Sequence, residues 1–494
     1  MDKATIFYIV FALYMAGVLY LGVFAFQKFR PRDIEGYLVG GRAIDWFTLC
    51  WTLAATQFSA LSFMGFLGFW YRFGVPSYTA IATGMYWIVS VSTWFLAPRI
   101  WKLGRAFGHI TGGDLMNDYY ESKALQYLYA IVMIVAVIPY LQVQMAGVGY
   151  LLEVGSGGKL PFWAGAVMIY IIIIFYTFMG GFRAVALTDV LQGILMTVGV
   201  VAAALGLIYF VSDGIGATFR SVAQTTPERL TVPGWKGVFN WTFLVSWVIP
   251  VGLGWITHPH MWVRAHAGRN LSVARKTPLF AFGVSFFIYS FGLLSAMACL
   301  KLLPGKEAVA DKILITAIGE YFPSIFLAII CAAGAAAMMS SMDSQLLGLS
   351  TVSVRDIFEV LWPKIDKERA MAISRWMVLF FGLIGLYLVF ANPGLLTSIG
   401  AFSSVLGVQA LPGMVCALFN LRWFNKYGVF AGMAGGFIAV FVFGFGPMKD
   451  YLGIYAGSWG LMINLVLLLS VSLVTQGVSR VNAAKVKAYQ EIGW

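Results

Sequence analysis

A group of hydroxyl and carboxyl side chains interrupts an apolar stretch of the chain near residue 340. Ser340, Ser341 and Ser344 lie here beside Asp343. Oxygen ligands suit a hard cation, and such a group is costly in lipid unless it has a role. Because the three serines span just over one helical turn, at most two hydroxyls face one point, and main-chain carbonyls would supply the other ligands. The alternative is a polar helix end near the membrane surface.

Two further segments have compositions that favour broken helices. Residues 54–60 (AATQFSA) are small and polar within an apolar run, which fits either an unwound helix or close helix packing. Pro250, Gly252 and Gly254 come just before Trp255, and three helix breakers so close together predict that the chain unwinds there. Transporters place ion and solute sites at such breaks, because freed carbonyls and helix ends then face a cavity.

Asp189 and Gln192 put a carboxylate and an amide on one face of a predicted helix. Without further context, the favoured interpretation is that Asp189 caps the N-terminus of that helix. His258 and His260 fall with Arg264 at the predicted inner membrane face, so we do not interpret these histidines as metal ligands.

Membrane helices must position all of these residues. The chain of 494 residues is 60% hydrophobic and only 11% charged, whereas a soluble domain is about 25% charged. This composition excludes a soluble enzyme, a nucleic-acid-binding module and a disordered chain. The sequence contains neither HExxH nor GxSxG nor a complete phosphate-binding loop, which argues against a membrane enzyme and an ATP-driven pump. We therefore expect a multi-pass membrane protein that is not an enzyme.

Apolar runs of about 20 residues predict thirteen membrane helices. They are expected at residues 4–26, 46–70, 77–98, 125–152, 161–180, 184–212, 241–260, 277–300, 321–350, 376–391, 395–420, 427–446 and 456–476. With the N-terminus outside, most of the 33 lysines and arginines fall in inside loops, which supports an N-out, C-in orientation. No basic residue is predicted deep within a span. The two candidate breaks are five helices apart, as expected for inverted repeats.

Several motifs, in their order and spacing, resemble the sodium:solute symporter family, which includes sodium/proline, sodium/pantothenate, sodium/glucose, sodium/iodide and sodium/monocarboxylate carriers. They are GGR at 40–42, residues 55–65, YRFG at 71–74, YTFMGGFRAV at 176–185, TDVLQ at 188–192, GLGW at 252–255, PH at 259–260, VR at 263–264 and AMMSS at 337–341. The resemblance implies one all-α transport domain over residues 1–494, with the leucine-transporter-like 5+5 inverted repeat. Its parts would be a leading helix at 4–26, repeats at 46–212 and 241–420, two trailing helices at 427–476 and a cytoplasmic tail at 477–494.

The resemblance also implies a sodium site between the second and ninth helices. Its ligands would be the main-chain carbonyls of Ala55, Phe58 and Ala337 and the hydroxyls of Ser340 and Ser341. Asp343 occupies a position at which relatives have a neutral or hydroxyl-bearing residue. Together with Asp189, Ser340 and Ser344 it forms a candidate second cation site, and the alternative is that Asp343 faces the inner vestibule. No organic cofactor is expected.

The resemblance places the solute among Gln57, Ser59, Trp255 and Gln409, and Trp255 could equally be a gate or a packing residue. Gln57 stands where the proline carrier has an acid, which argues against proline. We expect a small carboxylate, such as a monocarboxylate or a pantothenate-like acid; a sugar, an amino acid or an osmolyte is the alternative. A membrane ligand sensor is the alternative of another class. The expected partners are the solute, sodium and the lipid bilayer, with no nucleic acid, in a monomeric unit of a bacterial inner (plasma) membrane.

Overall fold

The structure is a computed structural model that describes residues 3–391, 396–449 and 451–493. Within these ranges every regular element is helical, and one isolated bridge joins Ile44 to Gly268. The helices of the first half are α1 Lys3–Phe29, α2 Ile34–Val39, α3 Trp46–Gln57, α4 Phe66–Phe73, α5 Val75–Tyr78, α6 Tyr86–Phe107, α7 Gly112–Tyr120, α8 Lys123–Gly155, α9 Phe162–Leu205 and α10 Ile215–Thr225. The remaining helices are α11 Trp241–Trp255, α12 Pro259–Ala267, α13 Leu271–Leu302, α14 Ile313–Tyr321, α15 Ser324–Val352, α16 Glu359–Leu361, α17 Lys367–Ala391, α18 Leu396–Gly407, α19 Leu411–Leu418, α20 Lys426–Gly444, α21 Ala456–Thr475 and α22 Ala483–Glu491.

The predicted all-helical membrane architecture is confirmed. Ten helices in the described ranges are long and apolar enough to cross a membrane, and a bent pair, Trp46–Gln57 and Leu61–Phe73, makes eleven if it is one span. The shorter apolar helix α11 is additional to these. The sequence predicts separate helices at 161–180 and 184–212, and the structure divides the long helix α9 between these two segments. That helix is interrupted at Gly181, whose φ of 57° places it in the left-handed region that favours glycine.

Helix α15 is the central element of the bundle. Every residue from Ile330 to Val352 is buried, and the helix packs against α1, α3, α8, α9, α12 and α17. A helix that is surrounded in this way needs no amphipathic face, because its contacts are helices on all sides. Its polar residues are therefore shielded from lipid and bulk water, and Ser340 to Ser344 lie within this buried region.

The predicted break in the second helix is confirmed. Helix α3 ends at Gln57, Phe58 is extended with φ −94° and ψ 127°, and the chain resumes helical geometry at Leu61 at an angle of 55°. These bent parts bring main-chain atoms of residues 55–58 to the face of α15.

The predicted unwinding at Pro250 to Gly254 is wrong. Helix α11 continues to Trp255, and the extended residue is His258, just before α12. Pro250 has no N–H and so frees the carbonyl of Ser246, but Ser458 Oγ donates to that carbonyl at 2.8 Å. Gly254 serves packing, since a Cβ there would lie 1.9 Å from the carbonyl oxygen of Ser404.

The C-terminal helix α22 is docked on the same end of the bundle as α7. Lys485 and Tyr489 both bond to the carboxylate of Asp118, the tyrosine at 2.8 Å. Arg99 donates to the carbonyls of Leu418 and Tyr489 at 3.0 and 2.7 Å. Hydrogen bonds from Lys485, Tyr489 and His109 hold the pKa of Asp118 below its ordinary value against the effect of burial. The tail is thus a structural part of the bundle end.

Candidate functional site

The break after α3 frees main-chain carbonyls, and hydroxyl groups bond to them. Gln57 O accepts from Tyr86 Oη at 3.0 Å and from Ser62 Oγ at 3.1 Å. On the other side of the break, the side chain of Gln144 accepts from the N–H of Ala60 at 2.8 Å. Buried backbone groups need partners of this kind. The break is therefore a fixed part of the fold.

The structure places the five oxygens that the resemblance implies in two hydrogen-bonded sets, one on Ser340 and one on Ser341. Ser340 Oγ donates to the carbonyls of Ala55 and Ala337, each at 3.1 Å. Ser341 Oγ donates to the carbonyl of Phe58 at 2.7 Å. All five residues are buried. The two sets, which we call the five-oxygen group, lie side by side in sequence where broken α3 contacts α15. Oxygen is the ligand type that hard cations prefer.

A second polar network lies one turn further along α15 and is centred on Arg264. Its Nη2 lies 3.0 Å from Asp189 Oδ2 and donates to Ser344 Oγ at 2.6 Å and to Thr52 Oγ1 at 2.9 Å. Thr52 also donates to Asp189. Both charged side chains are buried, and the ion pair with its hydroxyl partners links α3, α9, α12 and α15.

The predicted second-cation residues therefore lie together, but with a cationic side chain among them. Ser344 Oγ contacts the carbonyl of Ser340 at 2.7 Å and Asp343 Oδ1 at 3.1 Å, and Tyr176 Oη donates to Asp343 Oδ2 at 2.6 Å. The other oxygen of Asp189, Oδ1, has no hydrogen-bond partner in the described part of the chain.

Two sequence interpretations are corrected by this network. Asp189 does not cap a helix, because it lies well inside α9 and its carboxylate binds Arg264. Arg264 does not lie in an inside loop; it belongs to α12 and is 3% exposed. A buried arginine needs a charged partner. The partner, Asp189, is far along the chain, and no motif in the sequence links the two residues.

A small cavity of about 10 Å³, enough for about one water molecule, lies where α11 faces the bent helix and α18; we call it the Trp255 cavity. Its lining includes Leu61, Phe66, Tyr86, Trp247, Trp255 and Ser404. Trp255 therefore lies at a cavity, and its role as a solute residue stays a prediction. His258 stacks on it with ring centroids 5.4 Å apart, and both histidines of the predicted inner face, His258 and His260, are fully buried instead.

The other predicted solute residues are placed differently. The side chain of Gln57 accepts from Ser285 Oγ at 2.8 Å, and Ser59 Oγ accepts from the N–H of Leu61 at 3.1 Å. Gln409 is not part of the Trp255 cavity. Its amide bonds to Asn464 and the carbonyl of Val405, and it packs against the trailing helices α20 and α21. The sequence alone does not show which side of this helix faces the solute, so the contact of Gln409 with the trailing helices was not predicted.

Tyr140 and Ser404 were not singled out from the sequence. Tyr140 on α8 lies edge-on to Trp255, with ring centroids 5.1 Å apart, and its hydroxyl is near Ser59 and Ser341. It thus stands between the five-oxygen group and the Trp255 cavity. A tyrosine in an apolar helix and a serine in a small-residue run carry no distinguishing signal in one sequence.

Comparison with known proteins agrees with this geometry. The chain is 27% identical to a sodium/pantothenate symporter of Haemophilus influenzae over 94% of this chain and 89% of that protein. It is 24% identical to sodium/proline symporter 2 of Staphylococcus saprophyticus over 88% and 85%. The substrate-bound, outward-open structure of a Na+-coupled sialic acid symporter superposes with a TM-score of 0.81, at 18% identity, over 96% of this chain and 98% of that one. The last comparison shows a shared transporter fold.

The profile of the sodium:solute symporter family matches residues 37–436. That range includes the break after Gln57, the five-oxygen group, the Arg264 network and the Trp255 cavity. These relatives are transporters, not enzymes. The chain belongs to the sodium:solute symporter family.

Proposed function

We propose that this chain is a secondary active transporter that couples sodium entry to the uptake of a small organic solute by alternating access. The observation that carries the proposal is the five-oxygen group between the break after Gln57 and the central helix. Sodium at this point would be held by the carbonyls of Ala55, Phe58 and Ala337 and by the hydroxyls of Ser340 and Ser341. Such uncharged ligands suit weak, reversible and pH-insensitive binding.

Coupling follows from the position of the break between two sites. An ion held by Ala55 and Phe58 fixes the bent segment, and the same segment supplies Leu61 and Phe66 to the Trp255 cavity. Ion and solute would then favour one conformation, with a reciprocal coupling free energy of about 1–3 kcal/mol. Tyr140 adds a second contact between the two sites.

For the topology we propose thirteen crossings, with the N-terminus outside and the C-terminus inside. This count takes the bent pair as one span, divides α9 at Gly181, and includes α11 as a crossing. The two inverted repeats would be 46–212 and 241–420, flanked by a leading helix and two trailing helices. We place this protein in a bacterial plasma membrane, with one chain as the functional unit.

We further propose a second cation beside the Arg264 network. Asp189 and Asp343 carry two negative charges when ionised, and Arg264 balances only one of them. A buried net charge is costly in a membrane protein. One further monovalent cation near Asp343 and Ser344 would neutralise the group. The substitution Asp343→Asn is then expected to change the number of cations per solute, and unchanged stoichiometry would contradict this part of the proposal.

For the solute we propose a small carboxylate, either a monocarboxylate or a pantothenate-like acid. A relative named for pantothenate supports this class, while relatives named for proline and sialic acid show that the family accepts different solutes. A sugar, an amino acid or an osmolyte is the alternative. A ligand sensor built on the same fold would bind the solute without moving it.

The experiment measures the uptake of labelled carboxylates, sugars and amino acids into proteoliposomes. It compares uptake under an inward sodium gradient with uptake under an inward potassium gradient. We expect sodium-dependent uptake of one solute class. Uptake that is equal in both salts would contradict sodium coupling. Binding without uptake would instead favour the sensor.

A further inference from the structure

An open cavity of about 620 Å³ lies where the loop before α20, the segment after α21 and helix α22 come together; we call it the tail cavity. Its lining includes Arg422 and Trp423 from the loop, Gln476 and Arg480 after α21, and Lys487 from α22. Ligand sites in proteins are commonly about 300–1,000 Å³ in volume. The tail cavity therefore has room for a small ligand or for the headgroup of a lipid.

The charged side chains that line the tail cavity are all basic. Arg422, Arg480 and Lys487 bring three positive charges to it, and no carboxylate belongs to the described lining. Lys487 has an acidic neighbour in Glu491, at 4.0 Å with both side chains exposed, but neither arginine forms an ion pair within the described ranges. The positive-inside rule explains why basic residues lie near helix ends, but not why three of them surround one cavity. Because like charges repel, an anion in the cavity would stabilise this arrangement.

Amide side chains fix the walls of the tail cavity relative to one another. Asn425 is 2% exposed and caps α20, and its Nδ2 donates to the carbonyls of Ser472 and Ser479 at 3.3 and 3.1 Å. Asn420 Nδ2 donates to the carbonyl of Val486 at 2.9 Å and so ties the same loop to α22. The backbone that carries the basic side chains is therefore held in place by hydrogen bonds, as a binding site requires.

The lining also contains an unpaired hydrogen-bond donor. Gln476 Nε2 is buried and has no hydrogen-bond partner among the residues that the structure describes. An amide nitrogen only donates hydrogen bonds, so it needs an acceptor. Phosphate oxygens are such acceptors, and a guanidinium group binds two of them at once while an ammonium group adds a point charge. The donors and charges of the tail cavity therefore fit a phosphate group.

The tail cavity lies beside the ends of two membrane helices. Helix α20 begins at Lys426 and α21 ends at Thr475, and both are long and apolar enough to cross a membrane. Trp423 is 66% exposed and Val478 is 81% exposed, as side chains at the lipid interface commonly are. In the topology proposed above this is the cytoplasmic side, where basic pockets between membrane helices meet anionic lipid headgroups.

We propose that the tail cavity binds a phosphate-bearing anion, and that the headgroup of an anionic phospholipid is its source in the membrane. The phosphate oxygens would accept hydrogen bonds from Arg422, Arg480 and Gln476, and Lys487 would add a further positive charge. Since Lys487 belongs to α22, the bound lipid would also hold that helix against the bundle. The inference depends neither on the identity of the solute nor on the coupling ion.

The test is equilibrium dialysis of a labelled short-chain phosphatidylglycerol against the purified protein in detergent, with protein-free detergent on the other side. Short-chain phosphatidylcholine, which carries no net charge, is the comparison and should bind more weakly. The double variant Arg422→Gln with Arg480→Gln should weaken binding of phosphatidylglycerol about 30-fold, because one basic residue near an anionic lipid contributes about a fivefold change in affinity. The matched control is Arg32→Gln with Arg275→Gln, which removes two exposed arginines outside the cavity and should leave the binding unchanged.

Inorganic phosphate as a competitor distinguishes the two sources of the anion. Displacement of phosphatidylglycerol only at much higher phosphate concentrations supports the lipid as the source. Equal potency of the two, with both weakened in the double variant, supports the phosphate site and overturns the lipid as its source. Equal binding of phosphatidylglycerol and phosphatidylcholine, or an equal loss in the matched control, overturns the site. All four arginines are exposed, so thermal unfolding should show that both double variants remain folded.

Discussion

The substitution Ser341→Ala tests the proposed sodium ligands most sharply. Ser341 Oγ lies 2.7 Å from the carbonyl oxygen of Phe58 and 3.2 Å from that of Thr56. The variant removes one of the five proposed oxygen ligands and adds no bulk. It also leaves the buried carbonyl of Phe58 without its hydroxyl donor.

The size of the effect follows from what one oxygen contributes to a bound ion. A polar contact to a charged group is worth about 1.5–3 kcal/mol. Since each 1.4 kcal/mol is a factor of ten, the sodium concentration for half-maximal uptake should rise about 10- to 100-fold. High sodium should restore the rate, because the Trp255 cavity is unaltered and the ion and solute affinities are linked.

The assay is initial uptake into proteoliposomes as a function of external sodium, at a fixed concentration of labelled solute. Ser353→Ala is the matched control, since this hydroxyl is buried in the π-helical continuation of the same helix and bonds to Leu349 at 2.9 Å. Its sodium dependence should equal that of the unaltered protein. A shift below about threefold for Ser341→Ala, or an equal shift for Ser353→Ala, would refute the assignment.

Two sets of variants and one pH measurement test the structure around the sites and at the C-terminal helix. Arg264→Leu leaves the carboxylate of Asp189 buried and unpaired, so it should destabilise the protein by about 3–5 kcal/mol in thermal unfolding, and adding Asp189→Leu should recover much of that loss. Gly254→Ala places a Cβ 1.9 Å from a backbone oxygen of α18 and should abolish uptake and lower the melting temperature, whereas Gly283→Ala, with nothing within 4 Å, should not. The pKa of Asp118 is lowered in the folded protein, so its contribution to docking of α22 is present above the ordinary aspartate pKa of about 4 and is lost as pH falls. Hydrogen exchange should show α22 protected at neutral pH and released at strongly acidic pH, and release on raising the pH instead would contradict this.

The sequence predicted the features that depend on local composition. The small, polar run around Gln57 indicated the break in the second helix, because such residues hold an apolar helix together poorly when neighbours can bond to the freed backbone. The serines after Ala337 indicated a cluster of oxygen ligands. In the structure these serines contact the carbonyls beside the helix break, as the family resemblance implies.

Features that depend on tertiary partners were missed. Pro250 was expected to break α11, but Ser458 on α21 bonds to the carbonyl that the proline frees, and the helix continues. Arg264 was placed in a loop, because only the fold shows that Asp189 lies opposite it. Gln409 was assigned to the solute pocket through the family resemblance, whereas the orientation of its helix turns it towards Asn464.

Uphill accumulation tests the central claim of sodium-coupled symport most directly. Proteoliposomes would hold the solute identified by the uptake panel at equal concentrations inside and outside, and an inward sodium gradient would then be imposed. We predict that the internal solute rises above the external concentration and returns to equality when a sodium ionophore removes the gradient. No accumulation, or equal accumulation with a potassium gradient, would contradict the account.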